Sequence, residues 1–165
     1  MRGDTLGEAI PYNQSCNDNK GLIESIAFGE EHLKTPYSSL AKALKLIDKY
    51  GENIILRHHS DWITGWFLKD WTYGEEGNNL KLGWDLIKES WPKTYLNTSW
   101  LKCLPLIIKS GKVMVQIDSG LAERFKLNKQ MLLISGTTDS NAAFLAAGID
   151  KEEGLTGLGL SLIHI

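Results

Sequence analysis

The sequence predicts an α/β domain, because short apolar runs typical of strands alternate with segments of helical periodicity along its 165 residues. Residues 113–117 and the four large apolar residues that begin at Met131 predict strands, the second of them buried. Residues 38–50 instead place apolar side chains at helical spacing. A chain of this length can bury a core of its own.

The first half of the chain is predicted to be mainly helical. A short periodic segment at 21–28 predicts one helix, and residues 38–50 predict a longer one that begins at a serine cap and ends at Gly51. Residues 53–56 predict a short buried strand, and 60–68 a third helix. The apolar face of the 38–50 helix consists of Leu40, Ala43, Leu44 and Ile47, and its cap is Ser38 or Ser39.

The second half alternates between irregular and regular segments. Residues 71–85 are rich in Gly and Asn and lack a period, which predicts a loop or an irregular hairpin. Residues 91–104 are expected to be mainly helical after Pro92, since proline suits a first helical turn. After the strand at 113–117, Asp118 or Ser119 can cap a helix at 121–125.

Composition excludes some classes of partner. A net charge of −2, with 42% hydrophobic and 23% charged residues, is ordinary for a globular protein and indicates neither nucleic acid nor membrane as a partner. No apolar run approaches the length of a membrane span. Cys16 and Cys103 lack ligand-like spacing, so we expect reduced thiols in a cytoplasmic protein. The oligomeric state stays open.

The most informative stretch is the one at 131–148. Its strand runs into Ser-Gly-Thr-Thr-Asp and then into a small-residue helix, which places Asp139 at a strand-to-helix turn. Carboxylates at such turns act as catalytic bases or metal ligands. Asp is also a preferred helix N-cap, and the local pattern leaves both roles open.

Two further clusters could bind ligands. His58, His59 and Asp61 could hold a metal, but adjacent histidines on an extended chain point to opposite sides and no further Cys/His cluster completes a ligand set. Asp61 could instead stabilise the first turn of a helix. Residues 77–81, Gly-Asn-Asn-Leu-Lys, could line a polyol site or simply form a turn. Neither GxxxxGK[ST] nor GxGxxG is present, and we expect no metal site within the chain.

Taken in order, several motifs resemble the sugar kinases that phosphorylate ketopentoses, glycerol and related polyols. The resemblance extends from about residue 6 to 159 and is strongest to D-ribulokinases and xylulokinase-like proteins. The motifs are Pro-Tyr-Asn at 11–13, Ser-Ser-Leu-Ala-Lys-Ala-Leu at 38–44, Asp-Trp at 61–62, Asn-Asn-Leu-Lys-Leu-Gly-Trp-Asp at 78–85, Ser-Gly at 110–111 leading to Ile117, and Ser-Gly-Thr-Thr-Asp-Ser at 135–140 followed by Ala-Ala-Phe-Leu-Ala at 142–146.

The resemblance implies an actin-like, ribonuclease-H-like ATPase fold in which sugar and ATP meet in a cleft between two lobes. It implies an enzyme that phosphorylates D-ribulose or D-xylulose, with Asp139 as the base that takes the proton from the attacking sugar hydroxyl. ATP and Mg²⁺ are the implied cofactors, and a small sugar is the implied partner. The implied sugar-side residues are Tyr12, Asn13, Asp61, Trp62, Gly136, Thr137 and Thr138.

The departures from the family pattern define the expected domain organisation. An Asp and an Arg usually follow Tyr-Asn in the family, where this chain has Gln14, Ser15 and Cys16. The family's first strand and both of its phosphate loops have no counterpart here. We therefore expect an interior fragment that lacks kinase activity by itself. Residues 1–135 would come from the later part of the sugar-binding lobe, and 136–159 would form the catalytic turn and the start of the second lobe. Residues 160–165 would be a tail that resembles a translated sequencing adapter.

Two alternatives stay open beside the kinase. The chain could be a non-catalytic sugar-binding or regulatory module of the same fold. It could also be an incomplete reading frame without autonomous function. Residues 160–165 could likewise form a genuine C-terminal strand, because their apolar residues alternate.

Overall fold

The computed structural model describes residues 3–148, together with the backbone of 156–158 and 162–164. Helices dominate this part of the chain, and the strands, which are short, all follow α3. The α-helices are α1 (Lys20–Ile26), α2 (Ser39–Tyr50), α3 (His59–Leu68), α4 (Ser119–Arg124) and α5 (Asp139–Ala147). The strands are β1 (Tyr73–Glu75), β2 (Leu106–Ile108), β3 (Val113–Gln116), β4 (Leu132–Ile134), β5 (Thr156–Leu158) and β6 (Leu162–His164), and 3-10 helices cover Glu31–Leu33, Leu80–Leu82, Lys93–Asn97 and Ser99–Cys103.

The strands form three separate pairs. β1 and β2 are parallel, with Tyr73 opposite Leu106. β3 and β4 are antiparallel, with a bulge between Val113 and Val115, and β5 pairs with β6 in antiparallel orientation. The described part is thus a mixture of helices and small two-stranded sheets, and the actin-like arrangement stays a prediction. Of the expected tail at 160–165, residues 162–164 form β6, and the other three lie outside the described residues.

Helix α2 organises the core. The Ser38 hydroxyl accepts a hydrogen bond from the Ala41 backbone N–H at 3.1 Å, and Gly51 ends the helix at φ 76°, where a residue with a Cβ would be strained. The predicted apolar face is confirmed, since its four residues are all buried. They pack with the rest of the main apolar cluster, which includes Leu33, Leu82, Tyr95, Trp100 and the buried free thiols of Cys16 and Cys103.

Several predicted elements differ from the observed ones. The segment at 53–56 is not a strand: Leu56 is buried, and its backbone N–H donates to the Cys103 carbonyl at 2.8 Å, without a ladder. An apolar run indicates burial, but it does not specify a pairing partner. The helix expected after Pro92 consists of two 3-10 segments. The expected loop at 71–85 contains strand β1. The local pattern did not predict this strand, because its partner β2 lies about thirty residues further along the chain.

The strand that begins the 131–148 stretch is present, but the prediction that it is buried is wrong. Leu132 and Ile134 are 54% and 58% exposed. Val113 and Val115 on β3 are also about half exposed. Within the part of the chain that is described, β3 and β4 pair with each other and with no further strand, so this apolar surface lacks the covering layer that the sequence pattern presupposes.

None of the helices in the described ranges has both the length and the apolar character needed to cross a bilayer.

Candidate functional site

A cleft of ≈ 210 Å³ lies between α3, the β1–β2 pair and the segment that follows β4. Helix α3 contributes Ser60 and Asp61, and the end of β4 leads into the opposite wall. Three of the predicted sugar-side residues, Asp61, Gly136 and Thr137, therefore meet at one place although 75 positions separate the first two. The remaining lining residues are Thr64, Tyr73, Gly74, Glu75, Asn78, Ile108, Met114, Ile134 and Ser135.

Asp61 is one of two buried carboxylates of this cleft, together with Glu75. It is 5% exposed in the first turn of α3. One carboxylate oxygen accepts a hydrogen bond from the Glu75 backbone N–H at 3.0 Å, and the other from the Asn79 side-chain amide at 3.2 Å. Burial raises the pKa of Asp61 to about 6, against the opposing effect of these two hydrogen bonds. Asp61 can therefore gain or lose a proton near neutral pH.

Glu75 lies at the end of β1 and holds the loop that follows. Its carboxylate accepts hydrogen bonds from the backbone N–H groups of Gly77 and Asn78, each at 2.8 Å, and from the Ser110 hydroxyl at 2.6 Å. Sequence reasoning missed this residue. The available signal was an acidic side chain two residues before a glycine, since a carboxylate there can accept the N–H groups of the turn.

Residues 77–81 form a turn, which is one of the two roles left open by the sequence, and the polyol site stays a prediction. Asn78 lines the cleft, and its amide donates to the Ser60 hydroxyl at 2.8 Å. Asn79 is fully buried and structural, because its amide joins Asp61 to the Glu75 carbonyl. The segment is thus a turn whose first asparagine faces the cleft.

The opposite wall is attached to the β2–β3 connection. The Ser135 backbone N–H donates to the Lys112 carbonyl, and the Ser135 carbonyl accepts from the Gly111 N–H, both at 2.8 Å. Since Ser110 is bonded to Glu75, a continuous set of hydrogen bonds connects the loop after β1 to the segment after β4. Gly136, Thr137 and Thr138 follow directly.

Thr138, not Asp139, caps helix α5. The Thr138 hydroxyl accepts from the Asn141 backbone N–H at 3.3 Å, while Asp139 is the first helical residue. The capping interpretation of Asp139 is therefore wrong, because the cap must precede the first helical residue and a hydroxyl already occupies that position. The Asp139 carboxylate is exposed and accepts from the Ser140 N–H at 2.8 Å. Asp139 follows the cleft-lining Thr137 by two residues but does not itself line the cleft.

The other predicted site residues lie away from the cleft. The Trp62 indole N–H donates to the Gly3 carbonyl at 3.3 Å. Tyr12 is 67% exposed, and its carbonyl accepts from the Lys42 ammonium at 3.0 Å; Asn13 is exposed beside it. Tyr12, Asn13 and Trp62 therefore do not share the surface formed by Asp61, Gly136 and Thr137.

The histidine pair does not form a metal centre with Asp61. His58 precedes α3 with a buried Nε2 atom, whereas His59 is exposed. Burial lowers the pKa of His58 to about 4, which keeps the imidazole neutral at physiological pH. Among the residues whose positions are described, no three His, Cys, Asp or Glu side chains are grouped to hold a metal ion.

No protein-family model matches the chain. A functional conclusion therefore depends on the motifs and on the geometry of the cleft.

Proposed function

We propose that this chain is a segment of an ATP-dependent carbohydrate kinase that phosphorylates a ketopentose, D-ribulose or D-xylulose, and that Asp139 is its general base. The observation that carries the proposal is the turn at 136–139: Thr138 caps α5, which leaves the exposed Asp139 carboxylate free to act on a substrate. This is the position at which the sugar-kinase resemblance implies the base.

The chemistry suits a carboxylate in this place. Phosphoryl transfer needs the attacking hydroxyl to be positioned and its proton to be accepted, and Asp139 supplies the acceptor. Asp61, Gly136 and Thr137 line the adjacent cleft, where polar groups can orient the rest of the sugar. The buried free thiols of Cys16 and Cys103 support a cytoplasmic location as part of the same proposal.

ATP and Mg²⁺ belong to the proposed reaction but have no assigned residues in this chain. The sequence has no GxxxxGK[ST] loop, and the described part has no metal-binding group of side chains. When bound, Mg²⁺·ATP would supply the transferred phosphoryl group. The described residues would bind the sugar and accept its proton.

The test is turnover in the longest reading frame that contains this chain. We expect ATP-dependent phosphorylation of D-ribulose or D-xylulose. Asp139→Asn should lower kcat by about 10²- to 10⁴-fold, the usual contribution of a general base. Glu24→Gln on the exposed face of α1 is the matched control and should leave kcat unchanged. Unchanged turnover in Asp139→Asn with an intact fold would defeat the assignment.

A non-catalytic sugar-binding module is the second candidate. It is favoured by one observation: the cleft is lined by Asp61 and Thr137, while Asp139 lies outside it. Calorimetric titration of the chain with D-ribulose and D-xylulose in the absence of ATP distinguishes the two. Tight binding by the chain, combined with no turnover in the longest reading frame, would favour the binding module.

A further inference from the structure

Ser135 has a buried hydroxyl without a protein partner. The residue is 4% exposed, and its Oγ atom makes no hydrogen bond to any described residue. Three other buried polar atoms in the described ranges share this property, namely His58 Nε2, Asn79 Oδ1 and Trp84 Nε1. Ser135 is the one among these four residues that lines the cleft. A buried hydroxyl without a partner is costly, so its retention in a cleft points to a ligand.

The backbone of Ser135 is held on both sides. Its N–H and C=O are bonded to Lys112 and Gly111, each at 2.8 Å. These two bonds hold the backbone of Ser135 in place beside the cleft. The residue is in this sense pre-organised for a contact, which its small side chain reaches by rotation.

The rest of the lining defines the chemistry of the ligand. Ser60 and Thr137 accept hydrogen bonds from Asn78 and Asn141, so their own hydroxyl protons remain available for donation. Asp61 and Glu75 supply acceptors, and the described lining includes no Lys, Arg or His. Mixed donors and acceptors without a cation match a neutral polyhydroxylated molecule and disfavour an anion such as a sugar phosphate.

The size of the cleft limits the ligand further. A volume of ≈ 210 Å³ is below the roughly 300–1,000 Å³ of sites for drug-sized molecules. Apolar side chains of Ile108, Met114 and Ile134 offer a surface for the C–H groups of such a ligand. A monosaccharide or a smaller polyol fits these limits.

We propose that Ser135 is a substrate-contacting residue, whose hydroxyl bonds a hydroxyl group of a small neutral polyol bound between Asp61 and Thr137. The identity of the polyol as a ketopentose rests on the proposed function, whereas the contact itself does not. Ser135 thereby adds a specificity determinant to the sugar-side residues implied by the sequence.

The experiment titrates the chain with D-ribulose, D-xylulose and glycerol by calorimetry. Ser135→Ala should weaken binding about 5- to 10-fold, as expected for the loss of one hydrogen bond between neutral groups. Ser25→Ala is the control, since the Ser25 hydroxyl bonds only the Leu22 carbonyl on exposed α1, and it should leave Kd unchanged. Equal binding by wild type and Ser135→Ala overturns the inference.

The remaining outcomes separate this inference from the proposed function. Binding of glycerol but neither pentulose, weakened by Ser135→Ala, would support Ser135 and contradict the ketopentose assignment. No binding of any of the three at millimolar concentration would overturn the inference. Without ligand, Ser135→Ala should keep or raise the melting temperature, because it removes an unpartnered buried hydroxyl. A clear fall in melting temperature would overturn the inference by revealing a structural partner.

Discussion

The Asp61 carboxylate accepts a hydrogen bond from the backbone N–H of Glu75, and the Glu75 carboxylate in turn holds the loop that follows. Two buried carboxylates thus connect α3, through the end of β1, to the β2–β3 connection. The first positions the end of β1, and the second positions Gly77, Asn78 and Ser110. The shape of the cleft therefore depends on acidic side chains whose oxygens accept hydrogen bonds from backbone, amide and hydroxyl donors.

Replacing Glu75 should destabilise the protein substantially. Glu75→Gln substitutes an N–H₂ donor for one acceptor oxygen and leaves the N–H of Gly77 or Asn78 facing another donor. We expect the free energy of unfolding to fall by about 2–3 kcal/mol, as for buried hydrogen bonds to charged groups. Glu76→Gln, which affects a single bond to the Ser110 N–H, should cost less than about 1 kcal/mol. Urea unfolding of both variants measures the difference. Equal losses would contradict the role of the Glu75 carboxylate in holding the loop after β1.

His58 and Asp61 should give opposing pH dependences of stability. Burial, with His59 and Lys42 nearby, lowers the pKa of His58 to about 4. The contribution of His58 to the free energy of unfolding is therefore present above pH 6.5 and is lost as pH falls towards 4. Burial and the Glu75 carboxylate raise the pKa of Asp61 to about 6, while Arg57 opposes the rise. The Asp61 contribution is therefore present below pH 3.8 and is lost as pH rises through 6.

Single substitutions should separate these two contributions. Between pH 4 and 6 the wild type combines two slopes of opposite sign, each worth on the order of 3 kcal/mol across the window. Compared with wild type, Asp61→Asn should become more stable as pH rises, and His58→Gln less stable. Urea unfolding at intervals from pH 4 to 7 tests this. If both variants keep the wild-type profile, neither pKa is shifted as described.

Arg57 should be important for stability although it lies outside the cleft lining. Its guanidinium donates to the carbonyls of Trp71 at 2.6 Å, Leu56 at 2.5 Å, Cys103 at 3.1 Å and Thr72 at 3.3 Å. Burial lowers the pKa of Arg57 to about 10, which leaves it charged at pH 7. Arg57→Met would leave these carbonyls without their donor and should cost about 3 kcal/mol in unfolding free energy.

Arg124→Met is the matched control for Arg57. Arg124 is exposed and lies over the Phe125 ring, so its loss should cost less than about 1 kcal/mol. Guanidinium chloride unfolding compares the two variants under identical conditions. A loss in Arg57→Met no larger than that in Arg124→Met would show that the four carbonyl contacts contribute little.

Two glycines should respond in opposite directions to alanine. A Cβ on Gly65 in α3 would lie 2.4 Å from a ring carbon of Trp71, which is buried and cannot easily move. Gly65→Ala should therefore lower the unfolding free energy by about 1–3 kcal/mol through overpacking. Gly21 in α1 has no neighbour within 4 Å of a Cβ, so Gly21→Ala should add about 0.5–1 kcal/mol through helix propensity. Thermal and urea unfolding check both, and a stabilised Gly65→Ala would contradict the packing of Trp71.

Local chemistry made much of the secondary structure predictable. The boundaries of α2 follow from a serine cap and a terminal glycine, and those of α4 from the Asp118 side chain, which accepts from the Leu121 N–H at 2.9 Å. These interactions span three or four residues, so the sequence displays them directly. The same reasoning identified the turn at 136–139, but it considered Asp139 and not Thr138 as the possible cap, since Thr and Asp are both good caps and one residue of offset decides between them.

Burial and pairing were less accessible to local reasoning. Residues 53–56 and 132–134 have similar apolar character, yet Leu56 is buried without a ladder and Leu132 is exposed within one. Which apolar segment is covered depends on what packs against it, and this is a property of distant residues. The burial of Glu75 could not be predicted for the same reason, because it depends on distant segments such as that of Ser110, which lies 35 positions away.

Short-range patterns were thus sufficient to locate most of the helices, the caps of α2 and α4, and the turn that carries Asp139. The tertiary structure was needed to bring Asp61 on α3 beside Gly136 and Thr137, to bury Glu75, and to leave the buried hydroxyl of the cleft-lining Ser135 without a partner. Caps and helical periodicity arise from contacts within one or two turns of chain, whereas a cleft is defined by the relative placement of segments that the chain joins only through long connections. The shifted pKa of Asp61 follows from that placement, since desolvation depends on everything packed around the carboxylate.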